Sequence, residues 1–252
     1  LTLGLCGAMG AALAWAQTAT PKAASAPASA AAVPLLPAVA TVPGMPPVID
    51  AKNLYSEQAA GKVQAAIATD LPRIYVPNLR GHDVHVIDPA TMKVVDRFKV
   101  GYSPQHIVPS WDMKTLWVTN NAERRTDGSL TPIDPKTGKA GPAIDVDNPY
   151  NLYFSPDGKS AIVVAEARKR LDFRDPQTMA LQAELPVPGC RGVNHADFSI
   201  DGKYAIFTCE FDGTLVKIDM VQRQVLGYLK LSMPDRRFKA TVLKPGQVWE
   251  PG

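Results

Sequence analysis

Short apolar runs alternate with clusters of polar turn residues along most of the chain, and the runs have the length of β-strands. They are rich in β-branched and aromatic residues, and include IYVPN (74–78), LWVTN (116–120), AIVVA (161–165) and AIFTC (205–209). Clusters of Ser, Asp, Gly and Pro separate the runs, as expected of tight turns between antiparallel strands. The pattern therefore predicts an all-β domain built from many short strands.

One seven-residue motif occurs three times, as HIVPSWD (106–112), NLYFSPD (151–157) and HADFSID (195–201). Its last residues, Asp112, Asp157 and Asp201, are 45 and 44 residues apart, and no gap is needed inside the motif. Each copy leads into a Lys and then an apolar run. A period near 44 is typical of a β-propeller, in which each repeat forms one four-stranded blade.

The turn chemistry divides each repeat into strands. In SPDGK (155–159) the Asp should accept backbone hydrogen bonds and the Gly should adopt a positive φ, which predicts a β-turn. A third strand ends at an Asp, mostly followed by Pro, in VIDP (86–89), PIDP (132–135), FRDP (173–176) and KIDM (217–220). Outer strands are expected at residues 94–100, 143–146, 180–187 and 225–231. The chain thus contains three full repeats and part of a fourth.

With YVPN, WVTN, SPDG and VIDPxT, the chain resembles the YVTN-repeat β-propellers, exported proteins of the YncE-like group, over about residues 53–232. The resemblance implies four-stranded antiparallel blades and, in intact members, usually seven of them. About four are present here, so we expect a partial ring, and a closed four-bladed ring is the alternative. The repeat class is also distantly similar to the haem-d propeller of nitrite reductases, a cytochrome d1-like domain.

The ends of the chain differ in composition from its middle. Residues 1–16 are apolar and end in AWA, which we interpret as the remnant of a signal peptide. Residues 17–50 are nearly all Ala, Pro, Ser, Thr and Val and predict a flexible linker before the blades at 51–233. Residues 234–252 do not follow the repeat pattern and are expected to be irregular, as in a fragment or a frame-shifted end. We expect a periplasmic or secreted protein with no transmembrane segment in its mature chain.

Charge and cysteine content narrow the partners and the compartment. A net charge of +3 argues against nucleic acid as the main partner. Of three cysteines, Cys6 lies in the signal segment, which leaves Cys190 and Cys209. Pairing Phe198 with Lys203 across the last motif's turn would bring the two close enough for a disulfide, which an exported compartment permits. Two separate buried thiols are the alternative.

The position six residues before the motif's Asp opens the innermost strand of each blade. It holds His106, Asn151 and His195, which should lie at one height around the central channel. Together they predict a polar funnel rim that binds a ligand, an anion, a haem or a metal. The alternative is that each residue bonds the backbone of a neighbouring blade.

The loops beside this rim carry further candidates. Tyr150 adjoins Asn151, and Arg191 near His195 suits a carboxylate or phosphate. Glu166 and Glu210 align with each other one residue beyond the second strand, and with Asp197 they are candidate acids. The alternative is that they face solvent or form an inter-blade salt bridge. The remaining candidates are Tyr102, Gln105 and Asn194.

Three functions are compatible with these residues, and none of the common nucleophile, zinc, phosphate or covalent haem motifs occurs. We favour a non-catalytic binding or scaffold module that engages a small molecule or a periplasmic protein through its funnel and requires no cofactor. The first alternative is a haem- or metal-binding redox propeller that uses His106 and His195. The second is a lactonase-like hydrolase, for which no catalytic residue can be assigned.

Overall fold

The computed structural model describes residues 49–50, 53, 55–58, 61–199 and 201–231. These residues form four antiparallel sheets, which we call blades 1 to 4 in chain order. Blade 1 contains β1 (Ile74–Asn78), β2 (Asp83–Asp88) and β3 (Lys93–Lys99). Blade 2 contains β4 (Pro104–Pro109), β5 (Leu116–Asn120), β6 (Ser129–Ile133) and β7 (Ile144–Asp145). Blade 3 contains β8 (Pro149–Phe154), β9 (Ala161–Ala165), β10 (Arg170–Arg174) and β11 (Leu181–Pro186). Blade 4 contains β12 (Val193–Phe198), β13 (Tyr204–Cys209), β14 (Thr214–Asp219) and β15 (Gln224–Lys230).

The predicted fold class is confirmed. Blades 2 to 4 each have four strands in chain order, and blade 1 has three, which makes it the partial repeat. Short 3-10 helices occur at Ser56–Gln58, Ala65–Ile67 and Glu166–Arg168. The outer strand of blade 2 is shorter than predicted. Pro142, which has no N–H to donate, separates the isolated bridge at Ala140 from the pairs that begin at Ile144.

The motif's turn, which we call the corner, has the same hydrogen bonds in all three copies. The Ser hydroxyl donates to the Asp carboxylate at 2.7 Å in each, at Ser110, Ser155 and Ser199. The same carboxylates accept the backbone N–H of Lys114, Lys159 and Lys203 at 3.2, 3.2 and 3.1 Å. The turn therefore repeats because its own side chains satisfy its backbone.

Apolar side chains fill the spaces between successive blades. Val84, Val118 and Ile133 are buried between blades 1 and 2. Trp117, Leu152 and Val163 belong to the core between blades 2 and 3. The largest of these cores joins blades 3 and 4 and includes the fully buried rings of Phe173 and Phe207. Deleting a buried ring of this size costs about 3–5 kcal/mol, so the blades are held together mainly by these layers.

Burial along the second strand of a blade reflects what covers its two faces. Every residue of β9 is buried, because blades 2 and 4 flank blade 3 on both sides. Along β13 burial alternates, and Ile206 is 46% exposed. Blade 4 therefore has one face buried against blade 3 and one face that no described sheet covers.

Cys190 and Cys209 form a disulfide, with their Cα atoms 5.0 Å apart. The strand register beneath them differs from the predicted one. Phe198 pairs with Ala205 instead of Lys203, because the corner closes further along the chain with a bond from Ser199 N–H to the Tyr204 carbonyl. An irregularity nearer the start of β12 then places Val193 opposite Cys209.

The predicted signal segment at 1–16, nearly all of the linker at 17–50 and the tail at 234–252 lie outside the described residues. Among the helices of the described part, none has both the length and the apolar character needed to cross a bilayer.

Candidate functional site

A residue with a positive φ precedes the innermost strand of blades 2, 3 and 4, and the pairing register shifts near the start of each of these strands. The entry residues have φ of 51°, 51° and 68° and are Ser103, Asn148 and Gly192. The register then shifts between Pro104 and His106, between Pro149 and Asn151, and between Val193 and Ala196. A β-bulge re-aims the side chains beside it. The three rim positions predicted from the repeat therefore coincide with a repeated bulge.

His106 is bonded to the neighbouring blade. Its Nδ1 lies 2.8 Å from the backbone carbonyl of Tyr150, and its backbone N–H donates to Thr119 Oγ1 at 3.0 Å. A carbonyl can only accept, so His106 Nδ1 carries the proton and Nε2 keeps a lone pair. Burial lowers the pKa of His106, against the opposing effect of the Tyr150 bond, and His195 lowers it further. The ring is therefore neutral at pH 7.

His195 has the opposite tautomer. Its Nδ1 lies 3.4 Å from Asn151 Nδ2 and 3.3 Å from the Tyr153 hydroxyl. Asn151 Oδ1 accepts the N–H of Leu152 at 2.8 Å, which assigns Nδ2 to the side facing His195. An amide NH2 can only donate, so Nδ1 of neutral His195 accepts and its Nε2 carries the proton.

These side chains form a compact aromatic cluster, which we call the rim cluster: His106, Tyr150, Asn151, Tyr153 and His195. Ring centroids are 5.1 Å apart for His106 and Tyr150, 5.5 Å for His106 and His195, and 6.1 Å for Tyr150 and His195. All three contacts are edge-to-face, which is a favoured geometry for aromatic pairs. The structure thus brings together four of the five predicted rim residues.

Two carboxylates act on this cluster from the neighbouring loops. Burial, and secondarily the charge of Glu210, raise the pKa of Glu166 to about 7. Burial also raises the pKa of Tyr150, with smaller contributions from Glu210 and Glu166. Glu166 can therefore exchange a proton near neutral pH, and its charge acts on Tyr150 of the rim cluster.

Asn194 connects Glu210 to the strand that carries His195. Its Nδ2 donates to the Glu210 carboxylate, and its Oδ1 accepts from the Thr208 hydroxyl and from the backbone N–H of His195, the latter at 2.6 Å. Asp197 is directed elsewhere, because it accepts the hydroxyl of Tyr55. Of the three candidate acids, Glu166 and Glu210 are thus associated with the rim cluster and Asp197 is not.

Arg191 is exposed and stands apart from the rim cluster. Its backbone N–H donates to Asp212 at 3.3 Å, and its guanidinium bonds none of the described residues. Tyr102 is also separate, because the guanidinium of Arg125 lies 3.8 Å above its ring.

The sequence analysis missed the threonines that support the histidines. Thr119 and Thr208 occupy the same position of the second strand, and each accepts the N–H of the rim histidine opposite, at 3.0 and 3.2 Å. The repeat that has Asn151 at the rim has Val164 at this position. The two repeats with a rim histidine thus have a Thr at this position, and this correlation in the sequence could have identified the supporting threonines. Tyr153 left no such signal, because its counterparts in the other copies are Val108 and Asp197.

The described residues contain no group of three His, Cys, Asp or Glu side chains arranged to hold a metal ion. A metal at the rim would therefore rest on fewer protein ligands than the usual three or four.

A sequence model of one protein family, described as YNCE-like beta-propeller, matches residues 32–176. The match covers more than half of the chain, and includes His106, Tyr150 and Asn151. Among curated protein sequences, none matches the chain.

Solved structures share the fold at low sequence identity. "Kuenenia stuttgartiensis Hydrazine Synthase" is 24% identical, with 65% of this chain and 47% of that chain covered and a TM-score of 0.53. "Dihydro-heme d1 dehydrogenase NirN in complex with DHE" is 18% identical, with 65% and 35% covered and a TM-score of 0.49. The chain thus spans about half of the first structure and a third of the second.

Proposed function

The chain belongs to the YNCE-like β-propeller family, and we propose that it is an exported binding module that holds a small molecule on His106 and His195 at the mouth of its channel. The proposal assigns it no reaction. Its export is supported by the Cys190–Cys209 disulfide, since such bonds persist in oxidising compartments.

The observation that supports this function most is the opposite protonation of the two imidazoles. Hydrogen bonds within the protein leave His106 Nε2 as an acceptor and His195 Nε2 as a donor. No described residue bonds either Nε2. A ring nitrogen that accepts and one that donates, on rings whose centroids are 5.5 Å apart, suit a ligand with a hydroxyl, carboxamide or protonated carboxyl group.

The chain has only four histidines, which supply a matched control. The double variant H106A/H195A removes both rim rings, and H82A/H85A removes the other two. Each full-length protein is incubated with a small-molecule extract of the cells that export it, and is then examined by native mass spectrometry. We expect the wild type and H82A/H85A to retain the same added mass and H106A/H195A to lose it. Equal retention by all three proteins, or no uptake by the wild type, would refute the proposal.

A haem-binding propeller is the second candidate, and a specific feature of His106 favours it. Ligating histidines usually donate their other ring nitrogen to a carbonyl or carboxylate, as His106 Nδ1 does to Tyr150. His106 would hold the haem iron through Nε2, and His195 would offer its N–H nearby. A bound haem would supply redox chemistry.

An absorption spectrum of the protein purified from its exported fraction separates the two candidates. A Soret band that H106A lacks would assign the rim to a haem. If the wild type shows no Soret band but retains an added mass in native mass spectrometry, the rim would be assigned to a small-molecule ligand. A lactonase-like hydrolase is supported less, because no three described side chains converge as metal ligands.

A further inference from the structure

A cavity lies at the opposite end of the innermost strands from the rim cluster. Aromatic side chains from three successive blades line it: Trp111 after β4, Phe154 at the end of β8 and Phe198 at the end of β12. Phe198 is three residues beyond His195, or about 10 Å along an extended strand. We call this cavity the corner pocket, because it adjoins the corners of the blades.

Residues from the N-terminal side of blade 1 complete the corner pocket. Asp50, Tyr55 and Glu57 line it, and Tyr55 donates its hydroxyl to the carboxylate of Asp197 in blade 4. Further along, the Leu71 N–H bonds the Pro135 carbonyl in blade 2 at 3.0 Å. This stretch of chain is therefore attached to two blades, and the cavity beneath it has a volume of about 360 Å³. Pockets for small molecules begin at about 300 Å³ and are mainly apolar and aromatic.

The ring of Trp111 is held in place by the next blade. Gly158 adopts a φ of +67°, and a Cβ at this position would lie 2.5 Å from Trp111 Nε1. Only a glycine allows this close approach, so the corner of blade 3 fixes the tryptophan ring. An aromatic ring that is already fixed loses little conformational entropy when a ligand binds to it.

The described residues that line the corner pocket include acidic side chains and no basic one. Glu57 and Asp50 are among them, and none of these described residues is Lys, Arg or His. Lys62 lies 3.7 Å from Glu57, but its side chain is 52% exposed. Aromatic faces attract cations, most strongly when the ring is Trp. The geometry points to a small organic cation, such as a quaternary ammonium compound, as the ligand of the corner pocket.

This inference is independent of the function proposed for the rim, and its test uses a defined probe. Isothermal titration calorimetry measures the binding of choline to the full-length protein, with 3,3-dimethylbutan-1-ol as the uncharged compound of the same shape. We expect one choline per chain and binding of the neutral compound at least about tenfold weaker. No choline binding, or equal binding of the two compounds, would overturn the proposal.

Two variants locate the bound choline. W111L should weaken choline binding about tenfold because it removes the ring face, and E57Q should weaken it several-fold because it removes a charge. E57Q changes a residue outside the four blades, so it remains informative if W111L does not fold. E123Q removes a carboxylate from a loop at the rim end and should bind as the wild type does. H106A/H195A should also bind choline as the wild type does. Wild-type affinity for choline in both W111L and E57Q would contradict the assignment of the ligand to the corner pocket.

Discussion

His106 Nδ1 lies 2.8 Å from the backbone carbonyl oxygen of Tyr150, so a side chain of blade 2 is bonded to the main chain of blade 3. The same carbonyl accepts the Thr119 hydroxyl at 3.0 Å. The two bonds make the tautomer of His106 a consequence of how the blades pack. They also leave its Nε2 free of bonds from the described residues, which is the basis of the ligand site proposed at the rim.

The two rim histidines should differ in a long-range ¹⁵N–¹H spectrum at neutral pH. We expect His106 to be protonated on Nδ1 and neutral His195 on Nε2. Because burial and the charge of His195 lower the pKa of His106, it should titrate below 6.5, and H195A should raise that pKa. H85A, which changes a histidine of blade 1, should leave it unchanged. Titration of His106 above 6.5, or protonation of its Nε2 in the neutral ring, would contradict the assignment.

Replacing Glu166 with Gln should stabilise the protein at alkaline pH only. The folded-state pKa of Glu166 is raised from 4.5 to about 7, so ionising this side chain lowers the stability of the fold. The stability that goes with its protonated form is fully present below pH 4.5 and is lost as the pH rises through 7. E166Q should therefore resemble the wild type near pH 4. It should gain on the order of 1 kcal/mol near pH 8, a value discounted because the side chain is partly exposed.

Urea denaturation of E166Q at both pH values measures this difference. E123Q is the matched control, because it removes an exposed loop carboxylate, and it should show no such pH dependence. An equal gain of E166Q at both pH values would mean that the charge of Glu166 is not responsible.

Replacing Thr119 with Val should destabilise the fold by about 1–2 kcal/mol, because it leaves the N–H of His106 without its acceptor and removes a donor from the Tyr150 carbonyl. Thr119 is fully buried, so water cannot replace these bonds. T137V removes a threonine whose hydroxyl bonds Asp134 on an exposed turn, and should stay within about 0.5 kcal/mol of the wild type. The free energy of unfolding in urea measures both, and equal values for the two variants would show that the Thr119 bonds contribute nothing.

Removing the disulfide with C190A/C209A should lower the free energy of unfolding by about 2–4 kcal/mol, since the bond closes a loop with a sequence separation of 19 residues. A reducing agent should lower the stability of the wild type and leave the double variant unaffected. The comparison should be made on protein from an oxidising compartment, where alkylation and mass spectrometry would detect no free thiol at the two cysteines. Two free thiols there, or a midpoint of unfolding insensitive to reduction, would contradict this prediction.

The blades could be predicted because their signals are local. A Ser, an Asp and a following Lys within five residues satisfy one another's hydrogen bonds in every corner, as at Ser155, Asp157 and Lys159. Such a turn needs no distant partner, so its sequence pattern survives in each copy and reports the period directly. The rim positions followed from the same period, since equivalent residues of successive blades must lie at equivalent heights.

Whether the rim residues meet, and in what protonation state, could not be predicted in this way. The hydrogen bonds of His195 with Asn151 and Tyr153 cross between blades and depend on bulges that the motif does not mark. Arg191 illustrates the opposite case, because adjacency in sequence to the rim did not bring its guanidinium to the cluster.

The amino-acid sequence by itself determined the strand pattern, the period and the identity of the residues that open each innermost strand. Only the tertiary structure decided the pKa of Glu166, the tautomers of His106 and His195, and the corner pocket, in which Tyr55 meets Asp197 across 142 residues of sequence. Turn geometry depends on neighbours along the chain, whereas burial, charge and protonation depend on neighbours in space. The second set exists only once the blades have packed against one another.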